Sequence, residues 1–258
     1  MDMQAAPILS VEHNLLTLKQ LLQRLQVDPA WAAIDRCTDD LTVELWAGSL
    51  GLAAGDDELQ AALTAFRRAR GLFTAAHTGE WLRIRGMTLD ELAAMLRPQL
   101  LRAVLSSHVV ADEEIRRHFR ETAQRYDRAE ISYIVTAEYG MAQELRFRLE
   151  EGGDFHTLAR RYSEDAATAK SGGYAGLVGR GDLEPETAAA VFGSEAGAVL
   201  GPFELKRRYS LIAVETLFPA ELNDDVRADI RERLFVQKLE VYRQTLHIQE
   251  HFGSLGEG

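Results

Sequence analysis

The feature that most constrains this chain is a change in the spacing of its apolar residues near residue 128. Over residues 8–126 apolar residues recur at intervals of three and four, as in the leucine stripe from Leu15 to Leu25, which is the period of an amphipathic helix. The stretch EISYIVT at 130–136 instead alternates, which is the period of a β-strand. The sequence therefore predicts a helical region followed by a domain that contains a sheet.

The segment after this strand mixes both periods. Residues 138–151 and 154–162 have helical patterns separated by a Gly-Gly pair, and YSLIAVE at 209–215 alternates as a closing strand. Residues 223–251 then form a long amphipathic pattern that begins with Asn223 as an N-cap. A helix of this length needs an apolar partner, and the N-terminal helices are the nearest source of one.

These patterns define the predicted organisation. We expect an α+β chain with a helical domain at 1–127, a small α/β domain at 128–220, and a C-terminal helix within 221–258 that packs on the N-terminal domain. Within the helical region, Thr88 and Glu91 predict a capping box, and Pro98 is expected to kink or end the helix that follows.

The charge and cysteine content of the chain limit the classes of function that are expected. The net charge of −11 repels phosphate backbones and anionic lipid, so nucleic acid and membrane partners are not expected. The single cysteine, Cys37, allows no internal disulfide and is expected to be a buried helix residue. The first 20 residues do not resemble a signal peptide and no stretch is apolar enough to span a bilayer, which predicts a cytoplasmic protein.

The stretch YSEDAATAKSGGYAG at 162–176 combines an acidic turn, a run of small residues and the pair Gly172-Gly173. Glycine adopts backbone conformations that other residues avoid, so this composition predicts a loop that bends tightly around a neighbouring element. No HExxH or CxxC pattern and no phosphate-binding glycine loop is present, so we expect neither a metal nor a nucleotide cofactor.

The order of these motifs resembles the parvulin family of peptidyl-prolyl isomerases over residues 129–218. The matching residues run in order through the chain: Phe155, Leu158, Ala159, Ser163 to Asp165, Gly172, Gly173, Gly176, Gly181, Leu183, Pro185, Phe192, Gly201 and Pro202. The helical region before this segment and the helix after it are similar to the SurA-type chaperones, in which a parvulin domain is inserted into a helical peptide-binding domain.

The resemblance implies a four-stranded antiparallel sheet with helices and rotation of X-Pro peptide bonds without a cofactor or metal. The implied partner is a proline-containing polypeptide or precursor peptide, and the oligomeric state is left open. Parvulins typically carry a histidine in the first strand and another in the last, beside a cysteine or aspartate. This sequence has Tyr133, Ser210 and Asp165 at these positions, which we take as the candidate catalytic residues.

The implied proline pocket is also altered, because its usual bulky apolar positions read Ala175, Leu183 and Thr187. Leu183 and Phe192 keep some apolar wall, but threonine in place of a large aromatic loses contact worth about 1.5–3 kcal/mol when fully buried. His156, on the second helix, cannot replace either strand histidine and is expected to be a packing or exposed residue. The sequence thus predicts a weaker grip on proline or a wider pocket.

A group of basic residues is expected at the mouth of the implied cleft and would attract an acidic residue that precedes the client proline: Arg180, Lys206, Arg207 and Arg208. The alternative is that these residues form only a solvated hairpin tip.

Three functions remain open from the sequence. The first is a parvulin-type isomerase and foldase with weakened catalysis, in which Tyr133, Ser210 and Asp165 form a neutral hydrogen-bond network. The second is a holdase or peptide-binding accessory chaperone that has lost catalysis, in which Tyr133 and Ser210 only pack and Asp165 caps a turn. The third is a purely structural interaction domain, which leaves the retained loop glycines unexplained.

Overall fold

The structure, a computed structural model, describes residues 7–11, 14–28 and 32–249. These residues form two compact units, one from the residues up to Ala111 together with those from Arg231 onward, and one from Asp112 to Ile230. The second unit is longer at both ends than the predicted 128–220 segment. No helix in the described part of the chain is long and apolar enough to cross a membrane.

The first unit is mainly helical, as predicted. Its helices are α1 (Leu18–Leu25), α2 (Ala32–Ser49), α3 (Asp56–Ala69), α4 (Ala75–Ile84) and α5 (Leu89–Val109). The capping box at the start of α5 is confirmed, because the Glu91 amide donates to the Thr88 hydroxyl at 3.1 Å and Glu91 Oε2 accepts from the Thr88 amide at 2.7 Å.

Three details of the helical region differ from the sequence-based expectation. A two-stranded antiparallel hairpin, β1 (Pro7–Val11) and β2 (Asn14–Thr17), precedes α1, so the leucine stripe begins on a strand. Of the two outcomes expected at Pro98, a kink or an end, the end is wrong: helix α5 continues past Pro98, because proline removes one backbone donor without preventing the rest of the helix from forming. Cys37 lies on α2 as expected, but its side chain is exposed.

The core of this unit is built from apolar residues spaced along successive helices. Leu63, Leu82 and Leu92 on α3, α4 and α5 pack into one buried cluster. A second contact stacks Trp46 of α2 against Phe235 and Tyr242, with ring centroids 6.3 Å and 4.8 Å apart. The C-terminal part of the chain thus returns to the helical unit through aromatic stacking.

The returning helix is α10 (Asp224–Arg243), which begins after Asn223 as predicted, since the side chain of Asn223 accepts from the amide of Val226 at 2.9 Å. It ends earlier than the predicted 223–251 span, because turns replace helix after Arg243 and residues 247–249 have no regular structure. The last predicted residues, 250 and 251, lie outside the described residues.

The second unit contains a four-stranded antiparallel sheet with strand order β4-β3-β6-β5. Its elements are α6 (Asp112–Thr122), β3 (Arg128–Thr136), α7 (Tyr139–Glu150), α8 (Phe155–Tyr162), β4 (Tyr174–Gly179), α9 (Pro185–Phe192), β5 (Val199–Leu205) and β6 (Arg208–Phe218). The predicted fold class is confirmed, with both strands predicted from alternation paired at the centre of the sheet.

Alternation along β3 and β6 divides the sheet into two apolar faces. On one face, Ile134 and Leu211 pack against Leu145 of α7 and Phe155 of α8. On the other face, Ile131, Ile212 and Val214 form a cluster with Val191 of α9, and Tyr133 and Leu183 border it. The short helix α9 leaves part of this second face uncovered, which positions the candidate site.

Candidate functional site

The end of β3 is held by the turn formed by Ser163, Glu164 and Asp165. The hydroxyl of Ser163 accepts from the amide of Val135 at 3.1 Å, and a carboxylate oxygen of Glu164 accepts from the amide of Ala137 at 2.9 Å. The amide of Glu164 donates to the carbonyl of Val135 at 2.8 Å. These bonds place Asp165 at the C-terminal end of the strand.

The carboxylate of Asp165 is ordered by one neighbour, Thr168. Asp165 Oδ2 accepts from the hydroxyl of Thr168 at 2.5 Å and from its amide at 3.0 Å. The hydrogen bond from the Thr168 hydroxyl is the main reason that the pKa of Asp165 lies below its ordinary value, so Asp165 is ionised at neutral pH. The sequence reading did not identify Thr168, although its spacing of three from an aspartate is the usual signal of such a turn.

Tyr133 lies beside this pair. Burial is the largest cause that raises the pKa of Tyr133 above its ordinary value, and the nearby negative charge of Asp165 raises it further. The side chain of Tyr133 lies near those of both Asp165 and Thr168. Because Tyr133 stays protonated at neutral pH, it remains a hydrogen-bond donor, and these three neighbouring polar side chains are here called the polar network.

The Gly172-Gly173 bend is tight because it passes over β3 and α8. The carbonyl of Gly173 accepts from the amide of Tyr133 at 2.9 Å, and a Cβ on Gly173 would lie 2.4 Å from the carbonyl oxygen of Tyr133. A Cβ on Gly172 would lie 2.9 Å from Cβ of His156. Both glycines also have positive φ. The predicted bend is therefore present, and the element that it encloses is the backbone that carries Tyr133.

A cavity of about 840 Å³ opens on the uncovered face of the sheet. Its floor contains alternate residues of β3 and β6, and the polar network of Tyr133 and Asp165 lies at one side. The cavity is lined by eight of the residues predicted from the sequence: Tyr133, Asp165, Ser210, Ala175, Leu183, Thr187, Lys206 and Arg208. The structure thus brings together all three candidate catalytic positions and the three altered pocket positions, while their roles stay predictions.

Three predicted substrate-binding residues do not line this cavity: Phe192, Arg180 and Arg207. Arg180 pairs with Asp127 at 3.2 Å and lies over the ring of Phe192, 4.6 Å from its centroid. Phe192 packs against the apolar cluster under α9. Arg207 is exposed at the two-residue turn between β5 and β6, with φ of 66°. The guanidinium of Arg180 already has an anionic and an aromatic partner, so its predicted role in substrate binding stays a prediction.

Further lining residues were not among those singled out from the sequence. The apolar part of the lining is formed by Ile131, Val135, Val178 and Ile212. The polar residues at the edge of the cavity are Tyr209, Asp182 and Glu184. The floor residues of β3 and β6 follow the alternation that identified these strands, so the sequence could have predicted that they share the sheet face of Tyr133. The rim residues carry no comparable signal, because they belong to loops and turns.

His156 has the packing role expected from the sequence. Its Nδ1 lies 2.9 Å from the carbonyl oxygen of Gly172, and its Nε2 lies 3.6 Å from a carboxylate oxygen of Glu215. His156 therefore supports the glycine bend from the side of α8 and does not line the cavity. Among the described residues, no group of three or more histidine, cysteine or acidic side chains is placed to hold a metal ion.

The sheet order, the clamped acidic turn and the cavity are those of a parvulin-type domain. Residues 138–216 match the family model described as rotamase, PPIC-type PPIase domain. This match confirms the parvulin-type domain that the sequence motifs predicted.

Comparisons over longer spans point to one group of proteins. Foldase protein PrsA of Halalkalibacterium halodurans is 26% identical over 216 residues, which cover 83% of this chain and 61% of the relative. PrsA of Geobacillus kaustophilus is 31% identical over 108 residues, 40% of this chain and 38% of the relative. A crystal structure of PrsA from Bacillus cereus aligns over 96% of both chains with a TM-score of 0.51 at 16% identity, which shows a shared fold. The chain spans less than two thirds of the length of curated relatives that it matches, with 61%, 47% and 51% covered in three of them.

Proposed function

We propose that this protein is a parvulin-type peptidyl-prolyl isomerase and foldase that acts on proline-containing segments of polypeptide clients. The observation that carries the proposal is the cavity of the PPIC-type domain, whose apolar floor and wall adjoin the Tyr133, Asp165 and Thr168 network. The relatives named as foldases support action on polypeptides.

The reaction makes demands that this cavity meets without a cofactor. Rotation about an X-Pro bond is opposed by amide resonance, with a barrier of about 18–20 kcal/mol, and the bond itself is not broken. A protein lowers this barrier by holding the proline ring in an apolar pocket and by stabilising the twisted amide more than the planar one. In the proposed mode, Leu183 and Ile212 contact the ring, and the hydroxyls of Tyr133 and Ser210 face the amide.

We further propose that catalysis is weaker than in parvulins with two strand histidines. Tyr133 is a neutral donor whose hydroxyl lies near Asp165 and Thr168, and competition from these two side chains would make it less available to the client amide. Thr187 supplies less apolar contact than an aromatic residue would. Both differences act on the rotating amide more than on binding, because binding requires only a cavity of complementary shape.

The test is two-dimensional NMR exchange on an X-Pro peptide, with the natural chain, an Asp165→Ala variant and a triple variant Tyr133→His, Ser210→His and Thr187→Phe. We expect slow catalysis by the natural chain, faster catalysis by the triple variant and loss in Asp165→Ala, while peptide affinity changes less than turnover. Catalysis by the natural chain as fast as that of ordinary parvulins would refute the weakening. No catalysis and no peptide binding would refute the proposed function.

A second candidate is a holdase that binds unfolded chains without isomerising them. It is favoured by apolar surface in the helical unit, where a groove of about 540 Å³ is lined in part by Trp46, Val109 and Val241. Leu41 and Leu45 on α2 are 61% and 58% exposed. Suppression of aggregation of a proline-free client, unchanged in Asp165→Ala, would support this activity beside or instead of isomerisation.

We also propose that the clients include precursor peptides, as considered from the sequence, and that the protein acts in the cytoplasm. Cell fractionation with detection of the full-length natural gene product tests the location. Recovery of the protein outside the cytoplasm would overturn that part of the proposal and leave the proposed chemistry intact.

A further inference from the structure

The cavity has charged side chains of opposite sign at its edge. Lys206 and Arg208, here called the basic rim, come from the hairpin between β5 and β6. Asp182 and Glu184, here called the acidic rim, come from the segment between β4 and α9. All four side chains are exposed and all four belong to residues that line the cavity.

Strand register places the two rims toward opposite ends of β3. At one end Arg128 pairs with Gly179, the last residue of β4, and the acidic rim follows directly in the chain. At the other end Thr136 pairs with Tyr209, beside the hairpin that carries the basic rim. The eight residue steps of β3 between these pairs correspond to about 26 Å at about 3.3 Å per residue. An extended segment of about eight residues has the same length.

The charges of the rims are largely available to a ligand. Within the part of the chain that the structure describes, no hydrogen bond or ion pair engages the side chains of Lys206, Arg208 or Glu184. Asp182 accepts from the amide of Gly179 at 2.7 Å and lies 3.9 Å from the guanidinium of Arg128, so Glu184 is the less neutralised anion. In a chain of net charge −11, the basic rim is a local exception to the overall sign.

We infer that the cavity selects proline segments that carry opposite charges on the two sides of the proline, with the acidic side toward the basic rim and the basic side toward the acidic rim. The inference rests on the proposed function and specifies its substrate class. The basic rim agrees with the expectation of an acidic residue near the client proline. The acidic rim adds a requirement at the other end, and the two rims together fix the direction in which a client lies in the cavity.

The physical basis is electrostatic complementarity acting on the order of charges. Two peptides with the same composition and net charge, one with glutamate before proline and lysine after it and the other reversed, bury the same apolar surface. Only one order pairs both charges with rims of opposite sign. An exposed ion pair changes an equilibrium constant by about two- to fivefold. One peptide is attracted at both rims and the other is repelled at both, so their dissociation constants should differ by about tenfold or more at low salt. The difference shrinks as salt screens the rims.

The experiment measures dissociation constants of three peptides by NMR titration of the natural chain. The peptides carry glutamate and lysine three residues on either side of proline, the same charges in reverse, or alanine at both places. We expect a preference of about tenfold for one order at low salt, an intermediate affinity for the neutral peptide, and a smaller preference at physiological salt.

Rim variants assign the preference to these residues. The double reversal Lys206→Glu and Arg208→Glu should remove most of the preference, and adding Asp182→Lys and Glu184→Lys should invert it. Arg117→Glu, which reverses an exposed cation on α6, is the matched control and should leave the preference unchanged. The melting temperature of each variant and its affinity for the neutral peptide show that the cavity is intact.

The outcomes separate this inference from the proposed function. Equal dissociation constants for the two charged orders, with the neutral peptide still bound, overturn the inference alone. A preference that persists after the rims are reversed overturns the assignment to these residues. Failure of all three peptides to bind overturns the proposed function and the inference with it.

Discussion

Replacement of Thr168 by valine tests the polar network directly. Valine has nearly the shape of threonine, but it cannot donate to Asp165, so Thr168→Val removes the hydrogen bond with the greatest effect on the pKa of that carboxylate. A hydrogen bond to a charged acceptor contributes about 1.5–3 kcal/mol. Because Asp165 is only partly buried, solvent reduces this contribution to about 1–2 kcal/mol. The turn that carries Asp165 is hydrogen-bonded to the end of β3, so we expect the free energy of local opening of β3 to fall by this amount.

The pH dependence has a definite sign. The pKa of Asp165 is lower in the folded protein than its ordinary value of 3.8, so its contribution to stability is present above that value. The contribution is lost as the pH falls through the depressed folded pKa. The stability difference between the natural chain and Thr168→Val should therefore be full at neutral pH and narrow in strongly acid solution. The pKa of Asp165 should rise toward its ordinary value in the variant.

Two measurements check this prediction. NMR titration of the Asp165 carboxyl carbon gives the pKa, and hydrogen exchange of the β3 amides gives the local free energy of opening. Thr168→Ser is the matched control, since it keeps the hydroxyl and loses the methyl group, and it should retain the depressed pKa. An unchanged pKa in Thr168→Val, or equal effects of valine and serine, would show that Thr168 does not order the carboxylate.

Three further substitutions test other parts of the structure. Gly173→Ala should lower the free energy of unfolding by more than about 3 kcal/mol, because its Cβ would lie 2.4 Å from a carbonyl oxygen of β3. The control Gly176→Ala, also at positive φ but in open space, should lower it by only about 1–2 kcal/mol. Equal losses in thermal unfolding of the two variants would contradict this reasoning. Phe235→Ala should lower the free energy of unfolding of the helical unit by about 3–5 kcal/mol, as followed by tryptophan fluorescence. The control Val236→Ala replaces a half-exposed neighbour and should change this free energy little. Similar losses in both variants would refute the stacked core. Arg180→Gln should weaken binding of a neutral X-Pro peptide about two- to fivefold by loosening the segment from Gly181 to Leu183, which follows Arg180 and lines the cavity, and unchanged affinity would show that its ion pair holds nothing at the site.

The sequence predicted the two central strands and the first two helices of the sheet closely, because their signals are local and each has a single physical cause. Alternation identified β3 and β6, since one face of each strand packs under α9 and the other under α7 and α8. The Gly-Gly pair predicted a close approach, and the approach is to the backbone of Tyr133. The end of α10 was less predictable, because its apolar pattern continues beyond Arg243 although the helix does not.

The partners of charged side chains were not predictable in the same way. Arg180 follows the glycine bend in sequence, which suggested the mouth of the cleft. It instead pairs with Asp127, 53 residues earlier, whose other carboxylate oxygen accepts from the amide of Ala220. A long flexible side chain selects among several anions by tertiary position, and sequence spacing carries no information on that choice.

The framework of the site is held mainly by groups other than the side chains of Tyr133 and Ser210, which stand where the family pattern has histidines. The amide of Tyr133 donates to the carbonyl of Gly173, and the amide of Val135 donates to the hydroxyl of Ser163. Ser210 is fixed by the pairing of β6 with β3, opposite Val135. Substituting histidine at Tyr133 and Ser210 therefore changes the chemistry of the floor while its backbone supports remain. For that reason a gain of turnover in the triple variant would measure what the residues at 133, 187 and 210 together contribute to catalysis, and the unchanged framework explains how the fold persists with Tyr133 and Ser210 at the strand positions.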